Sequence, residues 1–274
     1  MSLLVSILGQ IVATFAHMLP YLVAAGLAFS LLSRRHACNP GRPWWRSREL
    51  PTDLCYWFIV PLFTRFLRLG LLVAAAALLF GMADDKDLDA FFAHGHGFWT
   101  QLPFWAQVLL LVLVSEFLLY WSHRIFHRAI LWKYHAVHHS SEDVNWTSAA
   151  RFHPVNLTLG TVLIDIVLLL SGVSPVVLTT LAPVSVFMSV FVHANLNWTL
   201  GPFKYILAGP VFHRWHHTSL ERGGNRNFGS TVAFYDVLFG TFYMPEHELP
   251  DEYGVGDPAF PQSFTGQLIH PFRQ

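Results

Sequence analysis

A chain of 274 residues with 53% hydrophobic residues, only 12% charged residues and positive mean hydropathy lies far from the roughly 25% charged composition of soluble domains, and it reads as a membrane protein. Its 17 basic residues balance its 17 acidic ones, which excludes the basic field that nucleic-acid binding requires. Cys38 and Cys55 are the only cysteines, which excludes a disulfide framework and a paired-cysteine metal site.

The first apolar stretch, Leu3 to Leu32, has no early basic region or small-residue cleavage pattern and is too long for a signal-peptide core; it is expected to stay as a membrane anchor. His17 and Pro20 interrupt it, which is compatible with one kinked helix or a helical hairpin. The basic segment Ser33 to Pro51 carries Arg34, Arg35, Arg42, Arg46 and Arg48, the mark of a cytoplasmic side. A second apolar stretch follows from Leu54 to Gly81; Arg65 and Arg68 make its part to residue 68 interfacial and leave 69–82 as the deeper part. The acidic loop with Asp84, Asp85, Asp87 and Asp89 then lies outside, with His94 and His96 on that far side and away from any metal.

A third span, Phe104 to Trp121, returns the chain and runs into His123. Two more, Val155 to Ser171 and Pro175 to Val192, are joined by Gly172-Val173-Ser174 as a hairpin. The stretches 122–154 and 197–274 are then on one face. They carry Arg124, Arg128, Lys133, Arg151, Lys204, Arg214, Arg222 and Arg226, which assigns that face as cytoplasmic. The expected fold is all-α: an integral membrane helical bundle under a cytoplasmic helical cap. Its divisions are an N-terminal membrane region (1–103), a catalytic region of spans plus cap (104–245) and a C-terminal tail (246–274).

Nine histidines on that face fall into three sets and an outlier: His123-x3-His127, His135-x2-His138-His139, His213-x2-His216-His217, and His193 at the end of an apolar span. Residues three and four apart share a helix face, so each set turns its imidazoles toward one place. With 16 histidines in the chain, chance supplies about 0.05 copies of His-x2-His-His, whereas two are present. Neutral imidazole is the commonest metal ligand, and one ion takes only four to six donors; nine donors therefore predict a dimetal site, read here as two iron ions, with zinc competing for the same nitrogens in purified material. A lone histidine such as His17 is more simply a hydrogen-bonded core residue. Glu116, seven residues before His123 and on its helix face, and Asp165, inside the fourth span, are intramembrane carboxylates and thus candidate functional groups or polar contacts between spans.

These residues resemble a known family. His123-Arg124-Ile125-Phe126-His127, the run from Leu131-Trp132-Lys133-Tyr134-His135 to His138-His139-Ser140-Ser141, Asn145, Arg151-Phe152-His153-Pro154, Trp215-His216-His217, Asn225-Arg226-Asn227-Phe228-Gly229 and Asp236-Val237-Leu238-Phe239-Gly240-Thr241-Phe242-Tyr243 are similar to the fatty acid hydroxylase superfamily, which includes sterol desaturases, methylsterol oxidases and alkylglycerol monooxygenases. The resemblance covers about residues 104 to 245. It implies a membrane-bound non-haem diiron oxygenase that hydroxylates or desaturates a lipid with dioxygen as cosubstrate. It places the nine histidines at the family's ligand motifs. Some members carry His-x3-His where this chain has His193-Ala194-Asn195-Leu196-Asn197, so Asn197 stands where a side chain would bind the metal or support a residue that does, and so does His153.

The chain shows no haem or flavin motif, so its electrons are expected from an external ferredoxin or cytochrome with its reductase. The lipid is a sterol, fatty acyl chain, ether lipid or aminolipid head group. Short loops and a C-terminus without a lysine-based retrieval signal favour a bacterial inner membrane over endoplasmic reticulum. Two other classes compete. A metal-ion transporter would place its ligands at the bilayer midplane on broken helices, and a di-haem cytochrome would need histidine pairs on facing spans.

Overall fold

The computed structural model describes residues 2–81, 84, 86, 89 and 95–273. Asp85, Asp87 and His94, and the side chain of His17, lie outside the described residues. Helix α1 (Ser2–His36) and helix α2 (Leu50–Phe80) form the N-terminal region. They are followed by α3 (Phe104–Phe126), α4 (Ala129–His139), α5 (Pro154–Leu170), α6 (Pro175–His193) and the short cap helices α7 (Pro210–His216), α8 (Phe234–Leu238) and α9 (Phe264–Ile269). Among the described residues the only β pairing is an isolated antiparallel bridge, Leu207↔Val232. The architecture is an all-α bundle.

Helices α2, α3 and α6, of 31, 23 and 19 residues, are long and apolar enough to cross a membrane. At 1.5 Å per residue they run about 46, 35 and 28 Å against a hydrocarbon core of about 30 Å. Their outer faces are apolar and uncovered, as Leu69, Leu78, Leu109 and Phe187 show, while the buried set holds Asp53, Arg151 and seven of the nine motif histidines. That inside-out distribution suits a lipid solvent.

Local chemistry explains the ends. Pro51 opens α2 at a position where its missing N–H costs nothing, and Gly81, at φ 68°, closes it in the left-handed cap. The helix runs unbroken through residue 68, where the sequence places the change from interfacial to deeper chain, and Pro61 sits inside it. Likewise Pro20 lies inside one continuous α1, not at a hairpin. Ser174 caps α6 by accepting the Val176 N–H at 3.2 Å. Before it, Gly172 turns the α5–α6 hairpin at φ 106°, where a Cβ would meet the His96 carbonyl oxygen at 2.2 Å. His96 thus sits at the hairpin turn, and its backbone N–H donates to the Gly172 carbonyl at 2.9 Å.

The foot of α2 is pinned to the cap by a buried charge cluster. Arg151 is fully buried and binds Asp53 through Nε at 2.9 Å and Nη2 at 2.5 Å, and Glu49 at 3.1 Å. Thr147 donates to Asp53 at 2.7 Å and Ser141 to Glu49 at 2.6 Å. The C-terminal stretch returns to the same place, with Tyr56 donating to Gln267 at 3.1 Å. Asp165 on α5 pairs with Arg68 on α2, a polar contact between spans remote from the histidines.

Candidate metal centre

Four helix ends converge beneath the cap. His123 lies in the last turn of α3, with His127 as its C-terminal cap; His138 and His139 close α4, with His135 one turn earlier; His193 is the final residue of α6; and His213 and His216 occupy the last turn of α7, with His217 as its cap. Every histidine therefore stands at the negative end of a helix dipole, about half an elementary charge where the helix is long, which favours cations.

The structure sorts the nine into two groups: His123, His127, His135, His139 and His216, and then His138, His193, His213 and His217. Within each group one nitrogen per residue lies within 4.8 Å of all the others. Nε2 of His123 is 3.0 Å from Nε2 of His135, and Nε2 of His139 is 3.0 Å from Nε2 of His216. In the second group, Nε2 of His193 lies 3.3, 3.1 and 3.2 Å from those of His138, His213 and His217.

Tautomers decide what these contacts mean. Nδ1 of His123 faces the Phe228 carbonyl at 2.7 Å, that of His135 the Asn156 Oδ1 at 2.6 Å and that of His138 the Arg151 carbonyl at 3.1 Å. Nδ1 of His193 meets the Ser189 carbonyl at 2.7 Å and that of His216 the Arg226 carbonyl at 2.6 Å. All five partners accept, so each Nδ1 carries the hydrogen and each Nε2 presents a lone pair. Lone pairs facing one another at 3.0–3.3 Å repel unless a cation lies between them. Metal–nitrogen bonds of about 2.0–2.1 Å put neighbouring donors about 2.9–3.4 Å apart in octahedral or tetrahedral geometry, which matches. Both ring nitrogens of His127, and Nδ1 of His213 and His217, are buried with no hydrogen-bond partner, a further sign that the donor set is built for metal.

Outside the spans, His127, His135, His138, His139, His213, His216 and His217 are all held well below the ordinary imidazole range. Burial is the main cause, and a charge on one ring would repel its neighbours. They are neutral at pH 7 and ready to donate. All nine donors are uncharged, so the neutral carbonyls and helix C-termini around them would offset only part of the charge of two ions.

A cavity of about 150 Å³ borders both groups, reaching His123 and His135 of the first and His138, His193 and His213 of the second. It runs between α3, α5 and α6 and holds Glu116, Ser122, Asn156 and Ser189 in its wall. On α5 the helix widens into a π turn over Thr158–Val162, a local insertion that recurs at functional sites. Gly160 in that turn allows Asn156, Phe126 and Ser122 to approach; a Cβ there would stand 3.0–3.4 Å from each.

The remaining candidates make other contacts. His153 caps α5: its Nδ1 accepts the Val155 N–H at 3.1 Å and its Nε2 faces the Leu268 carbonyl at 3.1 Å, so neither nitrogen is left for metal. Asn197 is exposed, with its backbone N–H donating to the His36 carbonyl at 2.8 Å. Glu116 Oε2 accepts the N–H groups of Thr231 and Val232 at 3.0 and 3.3 Å. Sequence reasoning passed over Asn156 and Arg214. Asn156 follows His153 by three positions, its only local signal. Buried Arg214 ties the second group together by donating to the Val144 carbonyl, to the His193 carbonyl at 3.3 Å and to Tyr253 at 2.8 Å.

The fatty acid hydroxylase family profile matches residues 108–241, a segment that includes all nine histidines. The ornithine lipid hydroxylase OlsE of Rhizobium tropici is 33% identical over 180 residues, covering 65% of this chain and 54% of that protein. The alkylglycerol monooxygenase of Homo sapiens is 28% identical over 144 residues, covering 52% of this chain and 32% of that protein. Methylsterol monooxygenase 2-2 of Arabidopsis thaliana is 32% identical over 147 residues, 51% of this chain and 55% of that protein. The chain thus spans between about a third and about half of the length of these relatives. No solved structure matches it.

Proposed function

Because the chain belongs to the fatty acid hydroxylase superfamily, we propose that it is a membrane-bound non-haem diiron oxygenase that hydroxylates, or desaturates, a lipid. The observation that carries this reading is the turning of Nε2 lone pairs toward two centres, five histidines around one and four around the other. Two iron ions bound there would supply dioxygen activation and hydrogen abstraction from an unactivated C–H bond, chemistry that belongs to the metals. The chain's own residues hold and orient. Asn156 and the carbonyls of Phe228, Arg151, Ser189 and Arg226 fix the tautomer and ring plane of five donors, and the adjoining cavity brings one carbon of the lipid beside them.

The balance of the reaction requires a partner. In hydroxylation C–H becomes C–OH, and the second oxygen atom leaves as water with two electrons and two protons. In desaturation two hydrogens leave the lipid and both oxygen atoms become water with the same two electrons and two protons. The donor is an external ferredoxin or cytochrome with its reductase. The printed names of the relatives, an ornithine lipid hydroxylase and an alkylglycerol monooxygenase among them, support a lipid substrate. The arginine-bearing face that carries the histidines is the cytoplasmic one in this reading, and the membrane a bacterial inner membrane. The transporter alternative gains no support, because the histidines sit at helix ends under the cap and not on broken helices.

The deciding experiment compares lipids extracted from cells that express the wild type or a His138→Ala, His139→Ala, His216→Ala variant, supplied with iron and reductant, by mass spectrometry. A species heavier by one oxygen or lighter by two hydrogens, absent from the variant, is expected. Identical lipid profiles across a broad added lipid panel would sink the reading.

A further inference from the structure

Two stretches of the cap carry a surface that a water-exposed cap would not. Residues 203–207 and 232–238 are joined by the Leu207↔Val232 bridge, with Ala208 N–H donating to the Thr231 carbonyl and Ala233 N–H to the Ile206 carbonyl, each at 2.9 Å. On their outer side Phe203 is 63%, Ile206 55% and Leu238 58% exposed, with Tyr205, Phe234 and Val237 uncovered beside them. Their only charged residues are Lys204, half-buried with Nζ 5.1 Å from the Tyr205 ring centre, and Asp236, fully buried. A basic residue folded over an aromatic ring at the edge of an apolar face is the pattern of a membrane interface.

The position of the surface makes the case. Tyr235 donates to the Leu113 carbonyl at 2.8 Å, and its ring packs on Phe117 with centroids 5.6 Å apart. Leu113 lies ten residues before His123, about 15 Å down α3, so this part of the cap lies alongside the apolar length of a span and not over its end. The exposed surface is continuous with that span, since Phe239 packs on Trp121 at 5.1 Å and Leu113, Phe117 and Trp121 are themselves uncovered. On the other flank, Ala208 and Ala233 pack with Val192 of α6.

Irregular backbone inside a bilayer survives only where its polar groups are satisfied from within. Here two buried carboxylates do this. Glu116 accepts the N–H groups of Thr231 and Val232, and Asp236 accepts those of Phe228 and Gly229, both at 2.7 Å.

We infer that residues 203–207 and 232–238 form a re-entrant lip sunk among the acyl chains of the leaflet that α3 and α6 enter, so that lipid, and not a protein partner, covers this apolar face. Glu116 has a structural part in it, closing the lip's backbone from inside a span. Ser230 and Thr231, at the back of the lip, line the cavity beside the histidines. The lip is therefore the wall between leaflet and cavity, and a lipid reaches the histidines sideways from the bilayer. The inference stands on packing and not on the metal reading.

A carbene-generating diazirine carried in phosphatidylcholine vesicles tests it on the unmodified wild type, with labelled peptides mapped by mass spectrometry. Both stretches are expected to label as heavily as the face of α3 around Leu109; labelling that spares either stretch overturns the inference. As a second reading, spin labels at Ile206→Cys and Leu238→Cys in a Cys55→Ser background are compared with one at Glu248→Cys. Collisions with a water-soluble nickel chelate are expected to fall about tenfold relative to position 248, since the chelate is excluded from hydrocarbon. Equal collision rates would show an aqueous surface, which would then be a docking face for protein.

Discussion

The main-chain carbonyl of Arg151 takes the Nδ1–H of His138 at 3.1 Å while the guanidinium of the same residue is locked between Asp53 and Glu49. One residue thereby couples the foot of α2 to a donor of the four-histidine group. Removing one partner of a buried ion cluster leaves a charge uncompensated, which costs about 3–5 kcal/mol. Asp53→Ala is expected to lower thermal stability by that order and to release metal from the second group first. Urea unfolding in detergent and metal analysis check it; an unchanged midpoint with two metals retained would refute the coupling.

Asn156 aims His135 through a 2.6 Å contact. Losing such an outer acceptor typically weakens metal binding about 10–100-fold. Asn156→Leu should lose one of two metals to a competing chelator at correspondingly lower concentration, whereas Asn156→Asp, which keeps an acceptor, should hold both. Equal chelator sensitivity in all three proteins would remove Asn156 from the centre.

Metal removal should make the protein acid-sensitive. Once unfolded, each histidine titrates near 6.5, whereas burial and mutual repulsion hold His135, His138, His139, His213, His216 and His217 well below that value in the fold. In the window between, the unfolded chain binds more protons, so the stability contribution is complete above about pH 6.5 and is lost as pH falls. Melting temperatures of chelator-treated protein from pH 8 to 5 should fall steeply below 6.5 and those of metal-loaded protein less so. Parallel curves would mean that the histidines do not bind the metal.

His153→Ala should leave two metals per chain and cost only a helix cap, about 0.5–2 kcal/mol, because both its nitrogens are already engaged. Loss of one metal equivalent would place His153 inside the centre after all.

Gly172→Ala should be strongly destabilising, since φ 106° is closed to alanine and its Cβ would strike the His96 carbonyl oxygen at 2.2 Å. A drop in melting temperature of several degrees is expected, consistent with about 1–3 kcal/mol of strain. A neutral result would show that the turn relaxes freely.

How much was legible in the amino-acid order differs from residue to residue. The histidine sets were legible because helix periodicity is local: residues three and four apart share a face wherever the helix goes. Helix α6 could be read for a similar reason, Ser174-Pro175 opening it and an apolar run sustaining it. The partition was not legible. His138 and His139 are neighbours, yet they turn to different groups, joining His193 and His216 respectively, and only the crossing of α4 with α6 and α7 decides that. His153 and Asn156 show the same limit: His153 lies in the quoted motif and Asn156 three positions on, outside it, but the fold engages the first in a helix cap and the second on His135. Composition determined that the chain lives in a membrane, and spacing determined its histidine clips, since both depend on residues close in sequence. Tertiary structure alone decided which clips meet, which carbonyls orient them and how far the cap descends along α3, because these are contacts between residues far apart in the chain, such as Glu116 with Thr231, 115 positions on, and no local pattern encodes them.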